Sequence, residues 1–285
     1  MAQQQANLPQ FLCIGAQKAG TSWLDRRLRE HPEVWLPPFK ELHFFDHKFV
    51  EENRNWTHGH LRKAALREIK RFVHNKQYFD LNYIHYITQI SGSGGLEAFT
   101  EEWYRTVFTR PAAMERVTGE ITPAYSILPE AGVQYVREIL GYVKSIYLVR
   151  DPVDRAKSHA KMIMRRRQLD PSAMENWEAV LENPEIGARG EYGASLGLWR
   201  SIMGEENLLV LPFGRLRDDP LSVMRRVEDF IGISHFEDYV KPEKRVHAGA
   251  EADVPDSVVK ALEERFAHQR QGIEDWLGPE FLAEC

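Results

Sequence analysis

The segment FLCIGAQKAGTS carries residue types that can bind phosphate. Phe11–Ile14 is an apolar run typical of a buried strand, and Thr21 and Ser22 can begin a helix. Between them, Gly15 and Gly20 are separated by four residues. Glycines at this spacing let a turn direct its backbone amides at an anion, which the positive end of the following helix also attracts. The pattern therefore predicts a phosphate-binding loop.

The lysine of this loop stands in an unusual place. Nucleotide triphosphatases have lysine directly after the second glycine, where it reaches the β- and γ-phosphates, followed by a hydroxyl that binds Mg²⁺. Here Thr21 holds that position, and Lys18 lies inside the turn. From there its ammonium can contact a shorter anion, such as a 5′-phosphate or the group attached to it, without an intervening metal. The loop is thus predicted to bind phosphate but matches ATP poorly.

A second candidate phosphate site follows the segment KSIYLV. Ser145–Val149 is almost entirely apolar, as expected of a central parallel strand, so Arg150 would lie at the carboxyl end of that strand. Ligands of open α/β sheets bind beyond these ends. Ser158 follows about two helical turns later, and arginine together with a hydroxyl forms a good phosphate receptor. In the alternative, Arg150 pairs with Asp151 or Asp154 and Ser158 is merely exposed.

The elements that must position these residues alternate along the chain. Short apolar runs alternate with helical patterns, which predicts an α/β fold with a parallel sheet and helices on both faces. The predicted strands are residues 11–15, 33–36, 116–121, 143–149 and 207–213. The predicted helices begin at Thr21, near Gly59, near Leu96, after Pro129, after Pro152, near Ala194, after Pro220 and after Pro255. Residues 91–95, SGSGG, are predicted to form a flexible joint, and residues 241–254 a polar segment without periodicity.

Composition limits the classes of protein that remain. The 285 residues are 43% hydrophobic and 28% charged, which fits a single domain over residues 1–285 with about the first ten residues flexible. A net charge of −5 argues against broad nucleic-acid binding. No apolar run approaches the roughly 18 to 20 residues that span a bilayer, and the first residues do not resemble a signal peptide. With only Cys13 and Cys285, neither a disulfide framework nor a cysteine zinc site is expected, so a cytoplasmic location is predicted.

Together these motifs resemble a known family, the sulfotransferases that use 3′-phosphoadenosine 5′-phosphosulfate (PAPS). GAQKAGTSWL is similar to the family's 5′-phosphosulfate loop, and YLVRDPVDRAKSH is similar to its 3′-phosphate strand and helix. PFKELHFFD and GEITPAYS resemble the branch that includes heparan sulfate sulfotransferases and many bacterial enzymes. LLVLPFGRLRDDP resembles a later strand and loop, although Gly214 stands where an acidic residue is common.

The resemblance has implications for fold and donor. It implies a P-loop NTPase-like, three-layer fold whose central parallel sheet is flanked by helices. It also implies PAPS as the co-substrate, 3′-phosphoadenosine 5′-phosphate (PAP) as the product, and no required metal. The activity implied is transfer of the sulfuryl group to an acceptor hydroxyl.

The resemblance also assigns the donor-binding residues. Lys18 would contact the bridging region of the phosphosulfate. The amides and hydroxyls of Gly20, Thr21 and Ser22 would bind the 5′-phosphate. The complete implied set is the loop residues Gln17, Lys18, Ala19, Gly20, Thr21 and Ser22, the 3′-phosphate ligands Arg150 and Ser158, and the basic residues Lys244 and Arg245. The last two belong to KRVH, which stands where related enzymes close a basic loop over the 3′-phosphate; the alternative is an ordinary solvated surface.

Transfer to a hydroxyl also needs a base that removes its proton. In an extended KELHFFD segment, Glu41 and His43 would point to the same side because side chains alternate along a strand. By resemblance Glu41 is the leading base, and Lys18 and His43 are further catalytic residues. The implied substrate-binding residues are Glu41, His43, Asp46 and Tyr125. His43 and Asp46 would orient the base or the acceptor, and Tyr125 would line the acceptor pocket.

Metal ligation by His43, Asp46 and His47 is the alternative for this segment. Histidine and carboxylate side chains at close spacing are common ligands of transition metals. The two phenylalanines between the histidines favour packing instead, and the sequence places no third ligand. No metal site is therefore predicted.

One position departs from the heparan sulfate branch. Those enzymes often have, after the glutamate of the GEITPAYS segment, a lysine that helps at the acceptor site, whereas this chain has Ile121. Without that cation an anionic glycosaminoglycan is a less secure acceptor, and a neutral glycan, a glycolipid or a small hydroxylated metabolite is comparably plausible. Two other functions stay open: a nucleotide-dependent P-loop kinase or other phosphotransferase, which the displaced lysine opposes, and a non-catalytic nucleotide-binding protein.

Overall fold

Five short strands form one parallel sheet, and the computed structural model describes residues 8–75, 80–244 and 253–285. The strands are β1 (Phe11–Gly15), β2 (Val34–Trp35), β3 (Val117–Ile121), β4 (Lys144–Val149) and β5 (Leu208–Pro212). Their order across the sheet is β2-β3-β1-β4-β5, and every pairing is parallel. All five predicted strands are confirmed, each within one residue of its predicted ends.

β1 lies at the centre of the sheet because its sequence, FLCIG, can be buried on both faces. All five of its residues are buried. Phe11 is paired with Gly119 of β3 on one side and with Lys144 of β4 on the other. Since parallel strands end at the same edge of a sheet, the segments that follow β1, β3 and β4 lie side by side there. This is the edge at which both candidate phosphate sites were expected.

Helices account for most of the remaining described residues. They are α1 (Thr21–Glu30), α2 (Phe44–Phe49), α3 (Glu51–Asn75), α4 (Leu81–Ile90), α5 (Glu101–Val107), α6 (Pro111–Met114), α7 (Glu130–Leu140), α8 (Pro152–Arg167), α9 (Met174–Leu181), α10 (Pro184–Ala188), α11 (Tyr192–Met203), α12 (Arg215–Asp218), α13 (Pro220–Ile231), α14 (Asp256–Leu277) and α15 (Pro279–Ala283). Short 3-10 turns occupy Pro123–Ile127 and Glu205–Asn207. In the part of the chain that the structure describes, no helix has the length and apolar content of a membrane span.

Most predicted helix starts are confirmed where the sequence carries a clear start signal. Helices begin at Thr21 and directly at or after each of the four prolines named above, and the helix predicted near Ala194 begins at Tyr192. At α8 and α13 the first residue is proline and the preceding aspartate caps the helix: Asp151 accepts from the amide of Asp154, and Asp219 accepts from that of Ser222. Proline is favoured at this position because its missing N–H would have had no partner in the helix.

Two predicted helix starts are wrong, and several helices were not predicted. The helix placed near Gly59 begins already at Glu51, and the one placed near Leu96 begins at Glu101. Thr100 sets the second start, because its side chain accepts from the amide of Trp103. The start of α3 at Glu51 lies in a polar stretch without apolar periodicity. Its position follows from packing against α2 and not from a local sequence signal. The helices without a prediction are α2, α4, α6, α9, α10, α12 and α15.

Two clusters of buried apolar side chains hold these elements together. The larger surrounds the sheet and includes residues of α1, α7, α11 and α13. The smaller joins α8, α9, α10 and α14, with Val153, Trp177 and Phe266 among its members. The helix that follows Arg150 therefore rests on a core separate from that of the sheet.

Gly119→Ala is expected to destabilise the protein. A Cβ on Gly119 would lie 2.0 Å from Cζ of Phe11, the buried residue paired with it in β1. Because overpacking a rigid core costs roughly 1 to 3 kcal/mol, we expect the free energy of unfolding to fall by about that amount, measured by urea titration followed by circular dichroism. Gly272→Ala in α14 is the matched control, since a Cβ there meets no atom within 4 Å. Unchanged stability of Gly119→Ala would contradict this packing.

Candidate active site

The turn after β1 leaves the start of α1 open to an anion. Gly20 has a φ of 94° and precedes the helix without a side-chain cap, and the first turn carries no acidic side chain. The amides of Trp23 and Leu24 bond to the Gly20 carbonyl at 2.8 and 3.2 Å. The amides of Thr21 and Ser22 precede these bonds, so helix geometry gives them no carbonyl partner within α1. The helix start thus has the form expected of an anion site.

The two glycines of the loop allow close packing behind it. A Cβ on Gly20 would lie 2.5 Å from Cδ2 of Leu216, and the positive φ further disfavours any other residue. A Cβ on Gly15 would lie 2.9 Å from the ring of Tyr147 and 3.0 Å from Cβ of Ser126. Side chains larger than hydrogen at either position would push the loop away from the sheet edge.

A hydrogen bond joins the two predicted phosphate sites. Nη1 of Arg150, which follows β4, donates to the backbone carbonyl of Lys18 at 3.2 Å. The Arg150 guanidinium also lies 4.7 Å from the ring centroid of Phe213, which follows β5. Ser158 is half-buried on α8, the helix that begins just after Arg150. The segments after three strands therefore meet at the carboxyl edge of the sheet.

Several cations surround Lys18. Burial lowers the pKa of Lys18, and the positive charges of Arg165 and Arg150 lower it further, whereas Glu41 acts in the opposite direction. Such crowding of cations at the start of a helix favours a bound anion, because its charge would offset their mutual repulsion. The electrostatics of the loop thus agree with its shape.

Lys40, which no predicted role included, connects the KELHFFD segment to the phosphate loop. Its Nζ donates to Oγ of Ser22 at 3.2 Å and to Oγ1 of Thr21 at 3.4 Å. The same Nζ lies 3.4 Å from Oε1 of Glu41. The only sequence signal for this role was its place beside Glu41. One ammonium thus contacts both the start of α1 and the candidate base.

The segment from Glu41 to His43 is not extended, and this part of the prediction is wrong. Glu41 and His43 have positive φ angles of 64° and 57°, and α2 begins directly afterwards at Phe44. The two side chains nevertheless meet, with Nε2 of His43 3.9 Å from Oε2 of Glu41. Their proximity comes from two residues in the left-handed region, not from the alternation of a strand.

Hydrogen bonds to the end of β3 stabilise this conformation. The amide of Glu41 donates to the carbonyl of Ile121 at 2.9 Å. The amide of Leu42 donates to Oγ1 of Thr122 at 3.1 Å, and the amide of Phe44 donates to the hydroxyl of Tyr125 at 3.2 Å. Left-handed non-glycine residues cost free energy and persist only when their surroundings fix them. The bond to Glu41 uses the backbone carbonyl of Ile121 and not its side chain. An apolar residue at position 121 is therefore compatible with the placement of Glu41.

A buried carboxyl group organises the acceptors of these bonds. Glu120 is 1% exposed and accepts hydrogen bonds from the hydroxyls of Tyr104 at 2.5 Å, Tyr125 at 2.6 Å and Thr122 at 2.7 Å. Burial raises the pKa of Glu120 to about 7, although the three hydroxyls act in the opposite direction. The hydroxyls of Thr122 and Tyr125 also accept hydrogen bonds from the amides of Leu42 and Phe44, which flank His43.

Tyr125 does not line an acceptor pocket, contrary to the prediction. Its side chain is fully buried. Its hydroxyl donates to Glu120 and accepts from the amide of Phe44. Tyr125 therefore positions the segment that carries Glu41 and does not itself reach a bound molecule.

Asp46 and Asn53 fix the ring of His43. Nδ1 of His43 lies 2.8 Å from Oδ2 of Asp46, and Nδ2 of Asn53 donates to the same oxygen at 2.7 Å. Asp46 is fully buried, so it orients His43 and does not contact an acceptor, which corrects its predicted place among the substrate-binding residues. His47 is engaged elsewhere, with Nδ1 2.6 Å from Oγ1 of Thr57. The alternative metal set of His43, Asp46 and His47 is therefore not assembled.

Another histidine, His60, reaches the site from α3. Its ring centroid lies 5.0 Å from that of His43 with the planes perpendicular, and Trp56 packs beside both rings. Burial lowers the pKa of His60 to about 4, and His43 acts in the same direction. No sequence motif includes His60, because only the packing of α3 against α2 brings it to this place.

Glu41 is ionised in these surroundings. Its side chain is 31% exposed. Burial raises the pKa of Glu41, but the charges of Lys40, His43 and His60 outweigh this and hold it at about 2. The carboxylate is therefore the form present at neutral pH, which is the form that a proton acceptor needs.

Only the start of the predicted basic loop is among the described residues. Nε1 of Trp23 donates to the carbonyl of Pro242 at 2.6 Å, and Arg27 donates to the carbonyl of Val240. These bonds hold the chain just before Lys244 against α1, and Lys244 itself is exposed. Arg245 and the rest of KRVH lie outside the described residues.

Glu120→Gln is expected to change how stability depends on pH. A carboxyl whose pKa is about 7 in the folded state and 4.5 otherwise stabilises the fold fully below pH 4.5, and this stabilisation is lost as the pH rises through 7. The loss amounts to roughly 3 kcal/mol, and the amide of Gln, which does not titrate, should remove it. Urea unfolding of both proteins from pH 4.5 to 8 measures the difference. Glu264→Gln, a change at an exposed position, is the control. If the free energies of unfolding of Glu120→Gln and wild type change with pH in parallel, the raised pKa of Glu120 is contradicted.

Comparison with known proteins supports the reading of these motifs. A family model described as "Sulfotransferase family" matches residues 9–238. The chain is 28% identical over 232 residues to heparan sulfate glucosamine 3-O-sulfotransferase 3B1 of Mus musculus, covering 79% of this chain and 46% of that protein. It is 24% identical over 254 residues to bifunctional heparan sulfate N-deacetylase/N-sulfotransferase 4 of Mus musculus, covering 82% of this chain and 23% of that protein. The chain thus spans about half the length, or less, of these relatives.

Solved structures share the fold. A sulfotransferase from Alicyclobacillus acidocaldarius superposes with a TM-score of 0.62 at 23% identity, covering 94% of both chains. The sulfotransferase domain from the curacin biosynthetic pathway superposes with a TM-score of 0.57 at 14% identity, covering 91% of this chain and 98% of that domain. Because the family match runs from residue 9 to residue 238 and includes every motif that carried the resemblance, this chain belongs to the sulfotransferase family.

Proposed function

We propose that this protein transfers the sulfuryl group of PAPS to an acceptor hydroxyl by in-line attack, with Glu41 as general base and without a metal. The observation that carries the proposal is the position of Lys40, whose ammonium contacts the Thr21 and Ser22 hydroxyls and the Glu41 carboxylate. A base held this close to the start of α1 is within reach of a hydroxyl that attacks a group bound there. Membership of the sulfotransferase family supports sulfuryl transfer as the reaction.

The loop after β1 is proposed to hold the phosphosulfate end of PAPS. Lys18 and the first amides of α1 would bind it, within the loop formed by residues 17–22. The fit is supported by the positive φ of Gly20, by the uncapped start of α1 and by the absence of acidic side chains in its first turn. Bound PAPS supplies an activated sulfuryl group on a phosphate leaving group.

Arg150 and Ser158 are proposed to hold the 3′-phosphate. Arginine recognises phosphate through paired N–H groups, and the hydroxyl of Ser158 on α8, the helix after Arg150, would add a further donor. The bond from Arg150 to the Lys18 carbonyl would keep the two anion sites at a fixed separation. Lys244 and Arg245 would add positive charge from the segment that follows the Pro242 contact with α1.

Glu41 is proposed to accept the hydroxyl proton late in the attack. A carboxylate whose pKa is about 2 is a weak base, but a hydroxyl becomes strongly acidic as its oxygen bonds to sulfur. His43, held by Asp46, would orient the carboxylate or the acceptor. Lys18 and Lys40 would offset the negative charge that grows on the leaving oxygen.

The acceptor is proposed to be a neutral glycan, a glycolipid or a small hydroxylated metabolite. Ile121 is 2% exposed and apolar, so no cation is supplied at that position for an anionic acceptor. The ring of Trp56 lies 4.7 Å from that of His43, the histidine beside Glu41. An aromatic ring this close to the proposed base and its histidine suits the apolar face of a sugar or of another hydroxylated molecule.

Arg150→Ala is expected to weaken PAP binding about 10- to 100-fold, because a charge-assisted hydrogen bond contributes roughly 1.5 to 3 kcal/mol. Calorimetric titration with PAP measures the change, alongside ATP and AMP with and without Mg²⁺. The control is Arg225→Ala, which removes a surface arginine paired with Glu237. Wild-type PAP affinity in Arg150→Ala would contradict the 3′-phosphate role. Preference of the wild type for ATP with Mg²⁺ would move the protein to the phosphotransferases.

Glu41→Gln is expected to lower the rate constant for sulfuryl transfer about 100- to 10,000-fold, the range typical of a lost general base. PAP affinity should change little. The amide has the size of the carboxylate, and Glu41 is not among the proposed PAP ligands. Transfer from labelled PAPS to a panel of hydroxylated acceptors measures turnover, and titration measures PAP binding. Glu52→Gln, an exposed change in α3, is the control. Near-normal turnover in Glu41→Gln would pass the role of base to His43 or to water.

A further inference from the structure

We propose that Glu41, His43 and His60 bind a divalent transition-metal ion, with Zn²⁺ the best match, and that the bound ion inhibits sulfuryl transfer. The metal site stands on the geometry of three side chains from two segments of the chain. The inhibition rests in addition on the proposed role of Glu41 as the base.

The three side chains already converge. One ligand atom from each of them lies within 4.8 Å of the other two, and the His43 Nε2 to Glu41 Oε2 distance is 3.9 Å. Ligands of a tetrahedral Zn²⁺ with bonds of about 2.0 to 2.2 Å lie roughly 3.3 Å apart. The Glu41 side chain is 31% exposed, so it can rotate by the distance needed to close the site.

One ring nitrogen of each histidine in this group lacks a hydrogen-bond partner among the described residues. Nε2 of His43 and Nε2 of His60 are both buried and accept or donate no hydrogen bond among the described residues. The whole His43 residue is 3% exposed. Buried polar atoms in folded proteins nearly always have a hydrogen-bond partner, so two such nitrogens in one cluster with a carboxylate point to a bound species there.

Asp46 prepares His43 as a ligand. Its Oδ2 lies 2.8 Å from Nδ1 of His43 and is itself held by Asn53 at 2.7 Å. When the carboxylate accepts a hydrogen bond from Nδ1–H, the neutral imidazole carries its lone pair on Nε2. Carboxylate–histidine pairs of this kind orient the ligands of many metal sites and raise their basicity.

The donor set favours a borderline metal. Two imidazoles and one carboxylate suit Zn²⁺ and its neighbours, whereas Mg²⁺ and Ca²⁺ prefer oxygen ligands throughout. Three protein ligands leave a fourth position for water. Trp56, whose ring centroid lies 4.7 Å from that of His43 and 5.9 Å from that of His60, forms an apolar wall beside the site.

A bound ion would block the base directly. Coordination uses the carboxylate lone pair of Glu41 that would otherwise receive the acceptor proton. It would also fix the carboxylate through Oε2, the oxygen nearer His43, whereas Oε1 is the oxygen that Lys40 contacts. Zn²⁺ should therefore act as an inhibitor that chelators remove.

Metal binding is tested on the full chain after removal of metal by chelation. We expect one Zn²⁺ per chain with a Kd near or below about 1 μM, measured by competition with a chromophoric chelator. Co²⁺ should give the visible absorption of a four-coordinate site. His60→Ala should weaken Zn²⁺ binding at least about 100-fold, since losing even an outer partner of a ligand costs 10- to 100-fold.

His74→Ala is the matched control, because His74 is exposed on the same helix and should leave Zn²⁺ affinity unchanged. His60→Gln is a second variant of closer size, and circular dichroism shows whether each variant is folded. Equal Zn²⁺ affinity of wild type and folded His60 variants would overturn the site. So would a wild-type Kd weaker than about 100 μM, a hundredfold above the expected value.

Inhibition is tested separately in the transfer assay. Zn²⁺ should suppress turnover of the wild type and of His74→Ala at the concentration that saturates the site, and a chelator should restore it. Full turnover with Zn²⁺ bound would overturn the inhibitory role. A metal-free protein that transfers no sulfuryl group to any acceptor would count against the proposed function, whereas the Zn²⁺ titration would still decide the metal site.

Discussion

The pairing of β1 with β3 on one side and β4 on the other determines where each proposed catalytic or phosphate-binding residue lies. The loop after β1 carries Lys18, the end of β3 holds the amide of Glu41, and Arg150 follows β4. These residues are far apart in the chain and become neighbours because parallel strands end at one edge. A central strand buried on both faces is therefore a condition for the site as well as for the core.

Charge at this edge is unevenly distributed in a chain whose net charge is −5. Lys18, Lys40 and Arg150 lie around the start of α1, and Glu41 is the carboxylate in contact with Lys40. Their mutual repulsion is part of the free energy of the folded protein without ligand. A bound anion would relieve this repulsion, so any attraction for an anionic ligand would come from local charge and not from the surface as a whole.

The sequence allowed the fold and the turn between β1 and α1 to be predicted because their signals are local. Apolar runs bounded by turns located all five strands, and proline with aspartate located the starts of α8 and α13. The conformation of Glu41 and His43 was missed, since two left-handed non-glycine residues are imposed by bonds to β3 that leave no trace in the local pattern. Lys40 and His60 were missed because tertiary packing, of Lys40 against the start of α1 and of α3 against α2, brings them to the site. Tyr125 was predicted to line the acceptor pocket, but it is fully buried and its hydroxyl donates to Glu120, a contact that the local sequence does not reveal.

The separate core beneath α8 has a consequence for how the protein comes apart. Val153 of α8 packs with α9, α10 and α14, and no residue of α8 belongs to the cluster around the sheet among the described residues. Local opening follows such boundaries between clusters. A sub-global unfolding event can thus release the helix that carries Ser158 while the sheet and the loop after β1 stay folded. Hydrogen exchange in α8 and affinity for the 3′-phosphate would then report the same opening equilibrium.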